Sequence, residues 1–551
     1  MKRGVFIVII IFVIVGCKKN TDTKEYFVRP ISVICDYPFN DTTKWAITCR
    51  VWGLLKYYHP NVTAGKLDWD KVLLDRIDKI NDAVTPEQVN TELMQMIRVA
   101  GKYKGTVDKS WNDSLNMNVN LCWLDHSFIN DTIKQELRKI ASLTVKQPSY
   151  YVGTIYGPLT FDNEKDYDII NIISFYGYRL LALFRYWNVI YYFFPYKYLM
   201  DQPWDETLKE FIPQFMNAFD SEKYHEAVLK LTTKVNDGHA YSNIVPYGNS
   251  FSNITAMVDT FTVIRTPPEN SLLKRGDIIL SINGKEINTM RDSLTTIIPS
   301  SNRQYTNLII NALINKTILN GCVLTVLREQ QKLEVLEYRK KSLSQKDSLP
   351  FYNISPDMGY VNLELLKEAD VTGMFDSLEN TCGIIFDLRN YPYGLMIGDL
   401  FCHLSSKRQY DYGQANIANL SHNGSFYIKM CTIAFPEEKY QECKKYNGKV
   451  AVLINAITMS RAEVMAMEFR IHGATLIGMP TAGANGNIAE LRMPGGIVAC
   501  FSSIGFYYPN GEEMQRKGII PDIEVYPTME SIMEGKDEIL EEAINYMNNL
   551  K

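Results

Sequence analysis

Histidine is scarce in this chain: there are seven in 551 residues, and none sits in a metal-holding spacing such as H-E-x-x-H. The ten cysteines contain no C-x-x-C pair. No metal site is therefore expected, and no cofactor. Basic charge is not in surplus either, with 58 Lys plus Arg against 62 Asp plus Glu, so nucleic acid is not an expected partner. After the first 20 residues no run of 18 uncharged apolar residues occurs, which excludes a spanning helix of ordinary length there. Against these absences, 46% hydrophobic and 22% charged residues are ordinary globular values and exclude a disordered chain. At roughly 150 residues per domain the length suggests about three to four domains. Aromatics reach 12%, enough to fill cores and to line a groove for peptide or sugar.

The start of the chain reads as an address. Met1-Lys2-Arg3 is followed by an eleven-residue apolar run, Val5 to Val15, too short to span a bilayer but suited to the h-region of a signal peptide. Ile14-Val15-Gly16-Cys17 resembles a bacterial lipoprotein lipobox, which implies cleavage before Cys17 and lipidation of its thiol. An ordinary signal peptide with an incidental cysteine is the other reading. Residues 1–16 are thus expected to be removed and 17–40 to form a tether. The mature protein would be anchored to a membrane rather than threaded through it. Lys18 after Cys17 favours the outer membrane of a bacterial envelope, by resemblance to lipoprotein sorting rules. Of the nine other cysteines most read as small buried hydrophobes. One disulfide, for instance Cys431 with Cys443, fits such a compartment.

Residues 41–245 carry a repeat. Gly53-Leu54-Leu55-Lys56-Tyr57-Tyr58-His59-Pro60 matches Asn188-Val189-Ile190-Tyr191-Tyr192-Phe193-Phe194-Pro195, and Trp69-Asp70 matches Trp204-Asp205, all at an offset of 135. Helical spacing follows each Trp-Asp: Val72, Leu73, Ile77 and Ile80 in the first copy, Leu208, Phe211, Ile212, Phe215 and Phe219 in the second. Only the second copy ends in Asp237-Gly238-His239, so any chemistry belongs there. Further on, Gly276-Asp277-Ile278-Ile279-Leu280-Ser281-Ile282-Asn283-Gly284 places a tight Asn-Gly turn after a strand. It resembles the core of a PDZ domain, which implies peptide binding by strand addition over 252–342. An unrelated hairpin is the alternative. From 352 to 551 the pattern is α/β, with strands at Met358 to Leu363, Cys382 to Leu388, Lys449 to Ile454 and Ala474 to Ile477, and a helix from about Arg461 to His472.

Ser460 opens that helix, where unpaired N–H groups and the dipole favour negative charge. Locally it reads equally well as an N-cap, with Glu463 completing a capping box. The block Val450 to Gly483, the Asp387-Leu388-Arg389 strand end and Gly518-Ile519-Ile520-Pro521-Asp522 together resemble the tail-specific (C-terminal processing) serine peptidase family, over roughly residues 236–528. The resemblance implies a multidomain protein: a helical N-terminal repeat region, a PDZ-like domain and a crotonase-like α/β protease domain. It also implies Ser460 as nucleophile. The Lys that serves as base in the bacterial processing branch would follow Pro480-Thr481-Ala482-Gly483, where Ala484 stands instead. The tricorn-like branch uses a His carried upstream, which maps onto His239, with an ordinary pKa of about 6.5. The same resemblance assigns oxyanion donors to the N–H groups of Gly394 and Arg461. The Ser that normally precedes the His is Gly238 here, and the Glu that normally completes the set is Gln515. A Gln515 carbonyl accepting His239 Nδ1–H would fix the tautomer while stabilising an imidazolium less than a carboxylate does. On that basis Gln515→Glu is expected to preserve or raise the rate.

The functional expectation is a membrane-anchored serine endopeptidase acting on protein or peptide chains through an acyl-enzyme on Ser460, with His239 as general base. A non-hydrolytic peptide-binding or scaffold lipoprotein on the same fold is the alternative. A third reading, a glycan or lipid binder, requires an exposed aromatic groove within 41–220. If the PDZ-like segment only presents peptides, cutting out 252–342 should end selective tail cleavage and spare small activated esters.

Overall fold

The computed structural model describes residues 38–107, 118–155, 157–244, 254–337, 349–395 and 397–549. The signal segment, Cys17 and most of the tether lie outside the described residues. No helix among the described residues is long and apolar enough to cross a membrane.

Two 18-residue helices, Asp41–Tyr58 and Tyr176–Phe193, pack against each other in the middle of the first region. Their contact is close at Gly53, where a Cβ would overlap the Asn188 side chain. A reciprocal tryptophan pair pins each to a later helix, the first to Trp69–Leu74 and the second to Trp204–Met216. Trp52 Nε1 donates to the Trp69 carbonyl at 3.1 Å, and Trp69 Nε1 returns a bond to the Trp52 carbonyl at 3.0 Å. Trp187 and Trp204, 135 residues later, make the same two bonds at 2.9 Å each. Burying an indole leaves its N–H in need of an acceptor, and this exchange satisfies both members of each pair. Trp45, Trp52, Trp69, Trp187 and Trp204 are all at most 3% exposed, so these five tryptophans are core and line no surface groove. Two local expectations differ. The Val72 to Ile80 pattern is split into Trp69–Leu74 and Ile77–Asp82, because the chain turns at Asp75-Arg76. Phe219 lies beyond the helix Trp204–Met216 and is 62% exposed.

Residues 254–337 form an antiparallel sheet in the order Thr255–Val258, Phe261–Ile264, Ile278–Ile282, Cys322–Arg328, Gln331–Glu337, with the helices Ile287–Thr295 and Arg303–Leu319. Asn283 and Gly284, both at positive φ (50° and 75°), make the tight turn expected of an Asn-Gly pair. The last region is built on a sheet ordered Ile523–Glu524, Thr475–Gly478, Lys449–Ile454, Gly383–Asp387, Met358–Asn362, Phe351–Ser355. All its neighbours are parallel except the final pair. Continuous apolar runs such as Ile384-Ile385-Phe386 fit strands covered on both faces. A disulfide joins Cys402 to Cys443, whereas Cys431 is a free buried thiol; this corrects the Cys431–Cys443 pairing.

One element of the last region belongs to the core of the first. The hairpin Ile488–Met493 and Ile497–Ser502 contributes Leu491, Met493, Ile497, Ala499 and Phe501 to the helical core. Residues 241–243 then run antiparallel beside it: Cys500 N–H bonds the Tyr241 carbonyl, Ser242 bridges Ala499, and Asn243 N–H bonds the Val498 carbonyl. That register, continued by two residues, sets His239 opposite Ser502.

Candidate active site

The strand Lys449–Ile454 ends in a turn and then in the helix Arg461–Ile471, with Ser460 as its N-cap at φ 58°, ψ −120°. A side chain at positive φ is strained, and it persists only where its surroundings over-determine it. They do so here. Ser460 N–H donates to the Ala484 carbonyl at 3.0 Å and to Glu463 Oε2 at 3.2 Å. The Glu463 carboxylate also accepts Thr481 Oγ1 at 2.5 Å, Gly483 N–H at 2.8 Å and Ala484 N–H at 3.2 Å. Glu463 therefore laces the helix start to the Pro480-Thr481-Ala482-Gly483 turn. Complete burial lifts its carboxyl to about 7, against the downward pull of those four bonds. Gly483, at φ 68°, cannot carry a Cβ, which would lie 2.9 Å from the Gly518 nitrogen.

Opposite Ser460 runs the turn Asn390 to Leu395. Arg461 holds it through its side chain: a guanidinium N–H donates to the Leu395 carbonyl at 3.2 Å and the group lies 6.0 Å from the centre of the Tyr391 ring. Burial raises the Tyr391 phenol, offset in part by the Arg461 charge and by a hydrogen bond with the Ser460 side chain. Gly394 lies in this turn, its carbonyl accepting Glu368 N–H at 3.0 Å. The turn is thus braced from both sides, although Pro392 has no N–H to offer.

His239 is fully buried. Its Nδ1 is 2.8 Å from Ser502 Oγ, while its Nε2 is buried with no hydrogen-bond partner among the described residues. Burial pulls the imidazole below its ordinary pKa, and the Asp237 charge pulls the other way. Ala484 lies between the two halves of the site. Its carbonyl holds Ser460, and its Cβ is 3.1 Å from where a Cβ on Gly238 would be.

Gln515 makes no hydrogen bond to the imidazole among the described residues, which corrects the expectation that it accepts Nδ1–H. Its Nε2 donates to Asp237 Oδ1 at 3.1 Å and its Oε1 accepts Asn485 N–H at 3.2 Å. The partner of Nδ1 is Ser502, a residue the sequence reading passed over. Asp237, given no role of its own by the sequence, accepts His239 N–H at 3.1 Å and Ser502 N–H at 2.8 Å. The only local signal for Ser502 is the continuous apolar run Ile497 to Phe501, which marks a strand but not its neighbour.

The 254–337 region reaches the same place. Ser301 Oγ accepts Gly238 N–H at 2.7 Å, and Asn302 Nδ2 donates to the Thr481 carbonyl at 2.9 Å. Deleting 252–342 would strip partners from both loops, so survival of small-ester hydrolysis is no longer expected.

Residues 357–525 match Peptidase family S41. No curated protein matches the chain. Among solved structures, mature CPAF is similar at 12% identity and TM-score 0.50, over 68% of this chain and 98% of that one. The photosystem II D1 C-terminal processing protease aligns at 13% identity and TM-score 0.38, over 65% and 98%. The tricorn protease aligns at 13% and 0.34, over 69% and 37%. At these identities the likeness to CPAF is one of fold. Residues 357–525 are a Peptidase family S41 domain, and with it the chain is an enzyme, a serine-type peptidase.

Proposed function

We propose that the protein is a membrane-anchored serine endopeptidase that cleaves protein or peptide chains through an acyl-enzyme on Ser460. The observation that carries this reading is His239: one ring nitrogen is bonded, the other is buried without a partner among the described residues, and the neighbouring Gly238 abuts Ala484, whose carbonyl accepts Ser460 N–H. His239 Nε2 takes the Ser460 hydroxyl proton as Oγ bonds to the substrate carbonyl carbon. The oxyanion is held by the N–H groups of Gly394 and Arg461. His239 then gives the proton to the departing amine as the C–N bond breaks, and water attacks the acyl-enzyme by the same exchange. The strained Ser460 backbone and the helix N-terminus behind it support the nucleophile assignment. The test is a serine-directed fluorophosphonate. It should label Ser460 in the wild type and fail in His239→Ala. A wild type that is neither labelled nor active on any tail library would favour the non-hydrolytic scaffold.

The 252–342 segment is read as PDZ-like, taking substrate chains by strand addition while bracing the site. Asn302→Ser keeps a side-chain oxygen to cap the helix Arg303–Leu319, where Asn302 Oδ1 accepts Tyr305 N–H at 2.9 Å, and removes the Nδ2 bond to the Thr481 carbonyl, worth about 1 kcal/mol. Hydrolysis of a small activated ester should fall about fivefold with little change in melting temperature. An unchanged rate would reduce the segment to peptide presentation alone.

Anchoring through Cys17 places the enzyme on the bacterial envelope, at the outer membrane by the Lys18 rule. Cys17→Ser should move the protein from the membrane pellet to the soluble envelope fraction. Unchanged partitioning would defeat the anchor.

A further inference from the structure

The imidazole proposed as general base has no carboxylate against it. Its Nδ1 meets a hydroxyl, and the position where the family resemblance calls for a Glu holds Gln515, which faces elsewhere. We infer that Asp237 is the carboxylate serving His239, acting through Ser502, and that Gln515 holds Asp237 rather than the imidazole. Asp237, Ser502 and Gln515 are positioning residues, and the assignment rests on the reading of His239 as base.

Asp237 and Ser502 are fully buried and Gln515 is nearly so. Three neutral donors surround the Asp237 carboxylate: His239 N–H and Gln515 Nε2 on Oδ1, Ser502 N–H on Oδ2. None of the three cancels its charge. The other titratable groups facing Asp237 are Tyr186, Tyr196 and Cys500, from two segments of the helical region and the hairpin. Burial pushes both phenols well up and the thiol to about 12, so all three stay neutral at working pH. When Nε2 takes the Ser460 proton both ring nitrogens carry hydrogen. Ser502 Oγ then accepts Nδ1–H, and the Asp237 charge, one residue away through the Ser502 backbone, offsets the imidazolium.

Two local facts explain the arrangement. Position 238 is crowded: a Cβ there would lie 3.1 Å from both Ala484 Cβ and Tyr305 Cε1, so the hydroxyl comes from the neighbouring strand. The Gln515 amide has one orientation, because its Oε1 must receive Asn485 N–H, which turns Nε2 toward Asp237. A carboxyl at 515 would face another carboxylate at about 3 Å in a buried site, where only one of the two can ionise.

The test compares Gln515→Glu, Gln515→Ala, Asp237→Asn and Ser502→Ala by kcat, KM and pH–rate profile on one tail peptide, with fluorophosphonate labelling of the wild type alongside. Gln515→Ala should stay within about tenfold of wild type and keep its neutral plateau. Gln515→Glu, nearly isosteric, should lose that plateau. Its rate should fall again as pH rises, when the introduced carboxyl gives up the proton it shares with Asp237, ending about 10- to 100-fold below wild type. Asp237→Asn should lower kcat about 1,000-fold with KM unchanged, and Ser502→Ala about 10- to 100-fold, by comparison with loss of the orienting carboxylate in a serine triad. A Gln515→Glu enzyme as fast as wild type across the plateau, or an Asp237→Asn enzyme of full activity, overturns the assignment while the peptidase stands. Should Asp237→Asn not fold, the order of the two Gln515 variants decides. A wild type with neither labelling nor hydrolysis overturns the base reading and this assignment together.

Discussion

Ser460→Ala and His239→Ala should each lower kcat on a tail peptide by about 10⁴-fold or more, and the double variant should be no slower than either alone, because nucleophile and base act as one unit. The residual rate would come from binding and the oxyanion donors, neither of which the two substitutions remove. The pH profile of the wild type identifies the base. If His239 is the base, as proposed, its active form is the neutral imidazole, and burial, the largest influence on it, favours that form over the charged one. Activity should therefore rise on an acid limb lying below the ordinary histidine value of about 6.5 and stay level through neutrality. A limb in the lysine range would mean that another group takes the proton. Full activity in purified Ser460→Ala would remove the nucleophile assignment altogether.

What could be read from the sequence, and what could not, divides along the range of the interactions. The strands Gly383–Asp387 and Lys449–Ile454 and the helix Arg461–Ile471 fall within a residue or so of their expected bounds. Their signals are local: short apolar runs rich in Ile and Val, and a Ser-x-x-Glu helix start. The Trp-Asp match at an offset of 135 was legible too, and the reciprocal indole bonds give that spacing a physical purpose. Ser502 was not legible. It meets His239 only because residues 241–243 pair with the hairpin, and register between segments more than 250 residues apart is a tertiary property. The Gln515 error has the same origin. A polar residue at the expected place was assigned the expected partner, while the fold turned its amide one group further, onto Asp237. The disulfide repeats the lesson, since Cys443 bonds Cys402, 41 residues away, and passes over the nearer Cys431.

Arg185→Met should destabilise the protein by about 3–5 kcal/mol, the cost of leaving buried charge uncompensated. Arg185 is fully buried in the helix Tyr176–Phe193, beside Lys56 from the helix Asp41–Tyr58. Between them these two cations hold two carboxylates: Arg185 meets Asp70 at 2.6 Å and Glu164 at 2.8 Å, and Lys56 meets Glu164 at 2.7 Å. Burial works against the charge on Arg185, but the carboxylates outweigh it and its pKa is raised. Removing the guanidinium leaves two buried anions sharing one lysine. Proton uptake would relieve them, so the deficit in melting temperature should shrink as pH falls below about 5. Arg185 also donates to the Arg492 carbonyl at 2.9 Å, in the hairpin whose far end carries Ser502. The variant should therefore lose activity at temperatures where it is still folded, as the hairpin loosens and Ser502 with it. Replacing Lys56 and Glu164 together by Met and Gln, which removes one charge of each sign, should cost less than Arg185→Met alone. A thermal melt of the two proteins across pH 4 to 8 checks both statements. Equal stability of wild type and Arg185→Met at pH 7 would show that the network is not what locks the helical region to the catalytic hairpin.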